Sequence, residues 1–461
     1  MPTSARRSAS PRVARAWAVK VLSLYTGAGG FDLGLQKAGF TIKGCVENDI
    51  DARKTIQNAT SWPLLDVPGR NPGNILEVEP EGILDRFGLA RREVSLLAGG
   101  PPCQPFSKAS LWVAGSTPRM LDPRARTLHA YFKVLEATLP DAMLLENVQG
   151  ITYAPRVEKT REEAVDLLDA ELARINERHG TSYRAQVLRI DAANYGVPQR
   201  RARIFVFASR EGDQIEVPRA THAEQPDADQ ERFVNCWDAL GGLDAPEFDE
   251  MLLPTGSWAN LLPSVPEGKN YQWHTPRGGG EPLFGWRTKY WSFLLKLAKD
   301  RPSWTIQASP GPATGPFHWR SRKLGVQEMA RLQTIPDSHK IDGSYLSGRR
   351  QLGNAVPAAI GELLGLEIRR QLYGKRVRKK LHLIPELRDD CPAPEEVAAV
   401  SDQYQHLRGD HQPHAGTGKG PEARRRKRRE QAEARNLAAA QVRFEAERMR
   451  EETTPPLPYA A

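Results

Sequence analysis

Cysteine is scarce: four in 461 residues (Cys45, Cys103, Cys236, Cys391), widely scattered and never as CxxC. That excludes a disulfide-stapled scaffold and a cysteine-rich zinc site, and fits a reducing cytoplasm. Long apolar runs are missing too. None approaches the roughly 20 residues that span a bilayer, and the basic first twenty residues hold no apolar stretch before a cleavage site. Neither a membrane segment nor a secretory leader is expected. There is no internal repeat, and the histidines show no metal-ligand spacing, so no metal is expected. What is present is the composition of a globular chain, 39% hydrophobic and 26% charged. At roughly 100–200 residues per domain, the length suggests two or three domains.

The charge is placed unevenly. Residues 1–20 carry five basic side chains and no acid; residues 416–461 carry eleven basic and seven acidic ones. These two surpluses account for the whole net charge of +9, so residues 21–415 sum to zero. Basic tails supply sequence-independent phosphate affinity through counterion release, or simply keep a protein soluble; the tails alone are read equally well either way.

Between the tails, apolar runs and helical periods alternate. Val19 to Tyr25 reads as a strand ending in the turn Gly27-Ala28-Gly29-Gly30. Phe31, Leu35 and Ala38 then recur at helical spacing. Ile42 to Val46 is a second strand, ending at Glu47. Val94 to Ala98 and Ala142 to Leu145 are near-continuous apolar runs, the pattern of strands buried on both faces. Thr127 to Thr138 and residues 161–178 read as helices; Tyr183 to Arg189 and Arg203 to Ala208 read as strands. This order predicts an α/β fold with a doubly wound, mostly parallel sheet. From Glu211 to Gly315 no period is sustained, and a separate, loop-rich lobe is expected. Helical signals return at Val326 to Gln333, Ala358 to Tyr373 and Arg424 to Glu452.

Four places could carry chemistry. The Gly-rich turn precedes a helix N-terminus, and Glu47 follows Gly27 by twenty residues at the end of the second strand. That pairing suits an adenosine-containing cofactor, with the carboxylate on a ribose diol. Gly99-Gly100-Pro101-Pro102-Cys103-Gln104-Pro105 leaves an apolar strand at the carboxyl edge of the sheet, so Cys103 reads as a nucleophile or as a small buried hydrophobe. Glu146 ends another apolar strand, where it would exchange protons or merely brace a loop. Arg201 and Arg203 alternate to one strand face, suited to a phosphate or base carbonyl or to a plain salt-bridged strand end.

In this order the motifs closely resemble the DNA cytosine-5 methyltransferases of bacterial restriction–modification systems, over about residues 20–372. SLYTGAGGFDLGL is similar to the family's first S-adenosylmethionine motif, with Tyr25 beside the adenine and Thr26 to Phe31 (Thr26, Gly27, Ala28, Gly29, Gly30, Phe31) around the donor. Glu47, followed by Asn48, matches the ribose-binding acid. Asn74 and Ile75 fall where an acid contacts the adenine amine. PPCQPFS, with Pro102 and Cys103, matches the nucleophile loop, and Glu146 in ENV the carboxylate that holds the cytosine. QRRARIF, with Arg201 and Arg203, matches the arginine motif; Asp122, Arg124 and Leu128 fit a weaker segment. QEMARLQTIPD and QLGNAVP, with Asn354 and Val356, resemble the ninth and tenth motifs. Two positions depart: Ser23 and Asn74 stand where the family usually has Asp.

The resemblance implies a Rossmann-like catalytic and cofactor-binding domain at 18–210 and a target-recognition lobe at 211–345 that includes the ninth motif. It also implies a tenth-motif helix at 346–373 returning to the first domain. Residues 1–17 are expected to be a disordered basic tail, and 374–461 a partly helical or disordered one. It implies S-adenosyl-L-methionine as donor, Cys103 adding to C6 of a flipped-out cytosine, Glu146 on N3 and the amine, and Arg203 on O2 with Arg201 in support. Implied partners are duplex DNA and a cognate restriction endonuclease sharing the site without a stable complex. The enzyme is expected to be monomeric on DNA, nucleoid-associated and away from membranes. Two alternatives remain at this point: an RNA cytosine-5 methyltransferase (although the short target-domain signature of the tRNA-acting relatives is missing), and a DNA-binding protein that keeps the fold without turnover.

Overall fold

A strand that meets hydrophobic layers on both faces needs apolar side chains at every position, with alternate residues serving opposite cores. The computed structural model, which describes residues 19–67, 71–101, 126–147, 163–243, 252–287, 290–378, 380–409 and 411, builds its sheet on that rule. The strands are β1 (Val19–Leu24), β2 (Phe40–Val46), β3 (Leu96–Gly99), β4 (Ala142–Asn147), β5 (Gln186–Asp191) and, after the short β6 (Gln199–Arg200), β7 (Ala202–Ser209). Six of them form one sheet in the order β2-β1-β3-β4-β7-β5. β1 runs parallel to β2 and β3, and β3 parallel to β4; β7 is antiparallel to both its neighbours. The expected mostly parallel, doubly wound sheet is present, with one reversed strand slotted into it.

The alternation is visible in the cores. Val21, Leu96, Ala98, Leu144, Phe205 and Phe207 point to one layer. Leu22, Leu97, Met143, Leu145 and Val206 point to the other. Helix α1 (Gly30–Lys37) covers the first face. Helices α3 (Pro80–Arg86), α4 (Arg126–Thr138) and α5 (Glu163–His179) cover the second, while α2 (Ile50–Ala59) follows β2. Further along come α6 (Cys236–Leu240), α7 (Val326–Leu332), α8 (Tyr345–Asn354) and α9 (Ala358–Gln371). A third core gathers Cys236, Leu240, Trp319, Leu332 and Leu352.

Helix α9 completes the first layer by backbone contact with α1. A Cβ at Gly34 would sit 2.0 Å from the Ala358 carbonyl oxygen, and one at Gly361 would sit 2.3 Å from that of Phe31. No side chain fits at either glycine.

Strand ends differ from the apolar runs by a residue or two. Tyr25 leaves β1 with φ 57°, which starts the glycine turn one residue early. Tyr183 precedes β5; it is buried in the second core and its hydroxyl donates to the Pro140 carbonyl. The aperiodic stretch after Glu211 has only short elements, among them β8 (His222–Ala223), β9 (Glu231–Arg232) and several 3-10 turns. The helix expected at 424–452 lies outside the described residues.

The chain divides into two compact units, one of Met1–Asn270 with Ser292–Ala399, the other of Tyr271–Trp291 with Val400–Ala461. In the second, the 3-10 turn Tyr271–His274 is closed by Leu283, whose N–H donates to the His274 carbonyl at 2.9 Å. The Arg277 guanidinium lies 5.5 Å from the Trp286 ring centre.

Candidate active site

Ligands in open α/β sheets settle at the carboxyl ends of the strands where the winding reverses. Here the reversal falls between β1 and β3, because the chain steps from β1 outward to β2 and returns on the other side as β3. The Gly-rich turn leaves β1 at that edge. Gly29 caps α1 at φ 79°, and a Cβ at Gly27 would meet nothing within 4 Å, so the turn borders open room. Glu47 ends the neighbouring strand: its Oε2 accepts from Gly27 N–H and its Oε1 from Asp49 N–H, each at 2.7 Å. Burial raises the pKa of this carboxyl, and the two N–H groups partly oppose the rise. Open room, a turn of small residues and a carboxylate at its rim fit an adenosine-containing donor.

Other residues expected around the donor are placed as follows. The Tyr25 hydroxyl donates to the Thr127 carbonyl at 2.6 Å. Ala28, Phe31, Leu128 and Val356 are buried, and Phe31 packs on Phe205 with ring centres 5.8 Å apart. Asn48 and Asn354 are exposed. Asn74 caps the 3-10 turn Ile75–Glu77 by accepting from Leu76 N–H, and its amide nitrogen donates to Glu77.

Across the sheet, β4 and β7 pair Glu146 with Phe205 and Asn147 with Ile204. Arg203 follows on β7, and its Nε meets Glu146 Oε1 at 2.9 Å. Burial pushes the Glu146 pKa up, while the charges of Arg203 and then Arg201 pull against it. A Cβ at Gly100 would lie 3.1 Å from Glu146 Oε2. The backbone that leads into Pro102 and Cys103 therefore passes beside this carboxyl. Pro102, Cys103, Asp122 and Arg124 themselves lie outside the described residues.

Arg201 does different work from Arg203. Only 1% exposed, it sends Nη2 to the carbonyls of Gly353 (2.9 Å) and Ala355 (2.7 Å) and Nη1 to that of Ile306 (3.4 Å). One planar guanidinium thus ties the arginine segment to the loop after α8. A lysine cannot reach these acceptors together. Arg201→Lys is therefore expected to lower stability by about 1–3 kcal/mol through unpaired buried carbonyls. Thermal unfolding should show the loss, and an unchanged midpoint would refute the clamp.

The sequence model of the C-5 cytosine-specific DNA methylases matches residues 19–370. The chain belongs to that family. Type II methyltransferase M.SacI of Streptomyces achromogenes is 35% identical over 379 residues, covering 76% of this chain and 93% of that protein. Type II methyltransferase M1.HphI of Haemophilus parahaemolyticus is 28% identical over 356 residues, covering 74% and 84%. Two solved structures share the fold. A putative DNA modification methyltransferase encoded within an E. coli prophage has a TM-score of 0.52 at 19% identity, over 77% of this chain and 99% of that one. A Spodoptera frugiperda DNMT2 variant has a TM-score of 0.50 at 17% identity, over 76% and 100%. This methylase accordingly acts on cytosine C5 in DNA, and the RNA and non-catalytic alternatives are not favoured.

The structure explains one departure from the methylase pattern. Ser23 is buried beside Asp32, which is 1% exposed and whose pKa is pushed up to about 7 by desolvation, against a hydrogen bond with Ser23. The Ser23 hydroxyl also accepts from Thr26 Oγ1 at 3.0 Å. An aspartate at 23 would set a second carboxylate against a buried first one, which two like charges resist. Sequence reasoning missed Asp32, and it also missed Arg53 and His339. Arg53 Nη1 donates to the carbonyls of Glu47 (2.9 Å) and Leu65 (2.8 Å). His339 Nε2 donates to Ala28 O at 2.7 Å. Arg53 and His339 bond to main chain, and no motif marks a main-chain partner.

Proposed function

We propose that this methylase modifies C5 of one cytosine within a specific duplex sequence, as the modification enzyme of a restriction–modification system, with S-adenosylmethionine as donor. The observation that carries the reading is the Glu146–Arg203 pair at the carboxyl end of β4, set against the Gly99–Gly100 backbone that runs into Cys103. Type II names on relatives that align over most of their length support the restriction–modification context.

Cytosine C5 is a poor nucleophile because its ring is aromatic and electron-poor. In our reading, the Cys103 thiolate adds to C6, and the displaced ring electrons make C5 enamine-like. Glu146, whose pKa burial raises, holds N3 and the exocyclic amine and stabilises the charge that develops on addition. Arg203 holds O2 and, through Nε, fixes the Glu146 rotamer. When bound, S-adenosylmethionine supplies an electrophilic methyl group on its sulfonium sulfur, which C5 takes. Cys103 leaves as the C5 proton passes to a base or water, and aromaticity returns. Gly27–Gly30 and Glu47 would hold the donor's adenosine portion, Tyr25, Asn74 and Ile75 would serve its adenine, and Asn354 and Val356 would complete the site. The target base must leave the helix stack to reach these groups.

We read residues 211–317 as the part that selects the sequence, and the enzyme as a monomer on DNA beside an endonuclease that shares the site without a stable complex. Among the described residues, no helix is long and apolar enough to cross a membrane. The test is bisulfite sequencing of DNA from cells expressing the chain, which reports base and context together. Protection of one cytosine in one recurring sequence is expected. Uniform conversion, or label from the donor appearing in RNA instead of DNA, would end the proposal.

A further inference from the structure

Residues past Leu372 lie beyond the family match, which ends at 370. Three buried charges of the first unit nonetheless take partners from them. Glu362, fully buried on α9, accepts from the N–H groups of His382 (2.8 Å) and Leu383 (3.0 Å) and pairs with Arg378. Asp238, in the first turn of α6, accepts from Arg388 N–H at 2.7 Å. Lys299, 2% exposed, donates to the Ala393 carbonyl (3.1 Å) and to Glu395 (2.8 Å), beside its pairing with Glu267 (2.6 Å). A buried charge stripped of its partners is strongly destabilising. The extension is thus integral to the first unit as far as Ala398, whose N–H donates to the Pro263 carbonyl.

From Val400 the chain belongs to the second unit, with residues 271–291. That segment is too short to enclose a core alone. Among the described residues of the unit, the buried hydrophobic side chains are Tyr271 and Leu283 from one segment, and Val400 and Tyr404 from the other. The two segments are also bonded: Gly409 N–H donates to the Pro282 carbonyl at 3.2 Å, and Arg408 pairs with Glu281 at 2.6 Å. The unit presents chemistry suited to a duplex. Tyr290 and Trp291 are 43% and 46% exposed, and Arg277 lies over Trp286.

We propose that residues 400–409 are the missing half of the 271–291 segment, a C-terminal brace that shapes a duplex-DNA contact surface of this methylase. The inference rests on reading residues 211–317 as the target-selecting part. Tyr404, at 4% exposure in the 3-10 turn Asp402–Leu407, acts as a positioning residue. Its phenolic ring is one of the four buried hydrophobic side chains among the described residues of the unit and touches neither donor nor cytosine in the proposed reaction.

The experiment compares the full-length chain with Tyr404→Ala and Tyr404→Phe. For Tyr404→Ala, the KM for target duplex should rise about tenfold, equivalent to about 1.4 kcal/mol. The kcat and donor affinity should stay unchanged, and limited proteolysis should now cut within 271–291. Tyr404→Phe should stay within about threefold of the unaltered chain in KM and keep its digestion pattern, because the ring is retained. An unchanged KM with an unchanged digestion pattern overturns the brace. A fall in donor affinity that parallels the loss of duplex binding also overturns it, since the extension would then only stabilise the fold. If the unaltered chain methylates no duplex, the proposed function fails; the proteolysis comparison still decides whether 400–409 props 271–291.

Discussion

Cys103→Ser is expected to abolish methyl transfer to duplex DNA while donor affinity is unchanged. The physical reason lies in the nucleophile. A thiol ionises near neutral pH and its sulfur is soft and polarisable, whereas a hydroxyl needs a dedicated base to attack anything. Loss of the nucleophile in a covalent enzyme costs on the order of 10⁴-fold or more in kcat. The residues proposed to hold the donor are Gly27, Glu47, Tyr25 and their neighbours, and the backbone between Glu47 and the glycine turn is bonded independently of the cysteine loop. Donor titration should therefore not move. An oligonucleotide carrying 5-fluorocytosine supplies the direct check. With fluorine in place of the C5 proton, release after addition is blocked, and the chain should stay on the DNA through a denaturing gel. Mass mapping should place the adduct on Cys103. Turnover retained in the serine variant, or an adduct on another side chain, removes the mechanism.

The second large effect is expected at Glu146. Glu146→Gln keeps the shape of the side chain and an acceptor for Arg203, but cannot pass a proton. Loss of a positioned acid–base group costs about 10²–10⁴-fold in rate, and kcat should fall within that range. The pH profile carries a sharper signature. Because burial raises the Glu146 pKa, the protonated form persists above the usual carboxylate range, and transfer that needs this form declines as pH rises through the raised pKa. The Cys103 thiolate works in the opposite sense, growing with pH. The unaltered enzyme should show a bell, and the glutamine variant should lose its alkaline limb while keeping the acid one. A variant with kcat within threefold of the unaltered chain, or with the alkaline limb intact, would mean that Glu146 is only a brace for Arg203.

The sheet was legible because the cause of each strand is local. Leu96-Leu97-Ala98 and Ala142 to Leu145 are apolar at every position, and a strand buried on both faces requires that. The positions of the candidate site residues at strand ends were legible for the same reason: Glu47 and Glu146 interrupt apolar runs where a chain leaves the sheet. What could not be read was any interaction whose partner is a carbonyl or an amide. Arg201 resembles Arg203 in sequence, yet it grips Gly353 and Ala355 while Arg203 meets a carboxylate. His339 on Ala28 and Arg53 on Glu47 leave no trace either, because every residue carries the same main-chain groups. Residues 211–315 had no period to follow. Their fold depends on distant contacts, down to the dependence of 271–291 on a segment more than a hundred residues later.

Backbone-to-backbone seating of α9 on α1 has a consequence for how this enzyme is made. As the chain emerges from the ribosome, Phe31 and Leu35 appear early, but the helix that covers them is translated some 320 residues afterwards. At roughly 5–20 residues per second, that leaves an oily layer of the nascent sheet uncovered for about 15–60 s. Premature release at any codon before Ala358 would yield a fragment that cannot close its own interior. Such fragments would be clients for chaperones and proteases, so full-length translation acts as a quality gate on an enzyme that marks the genome.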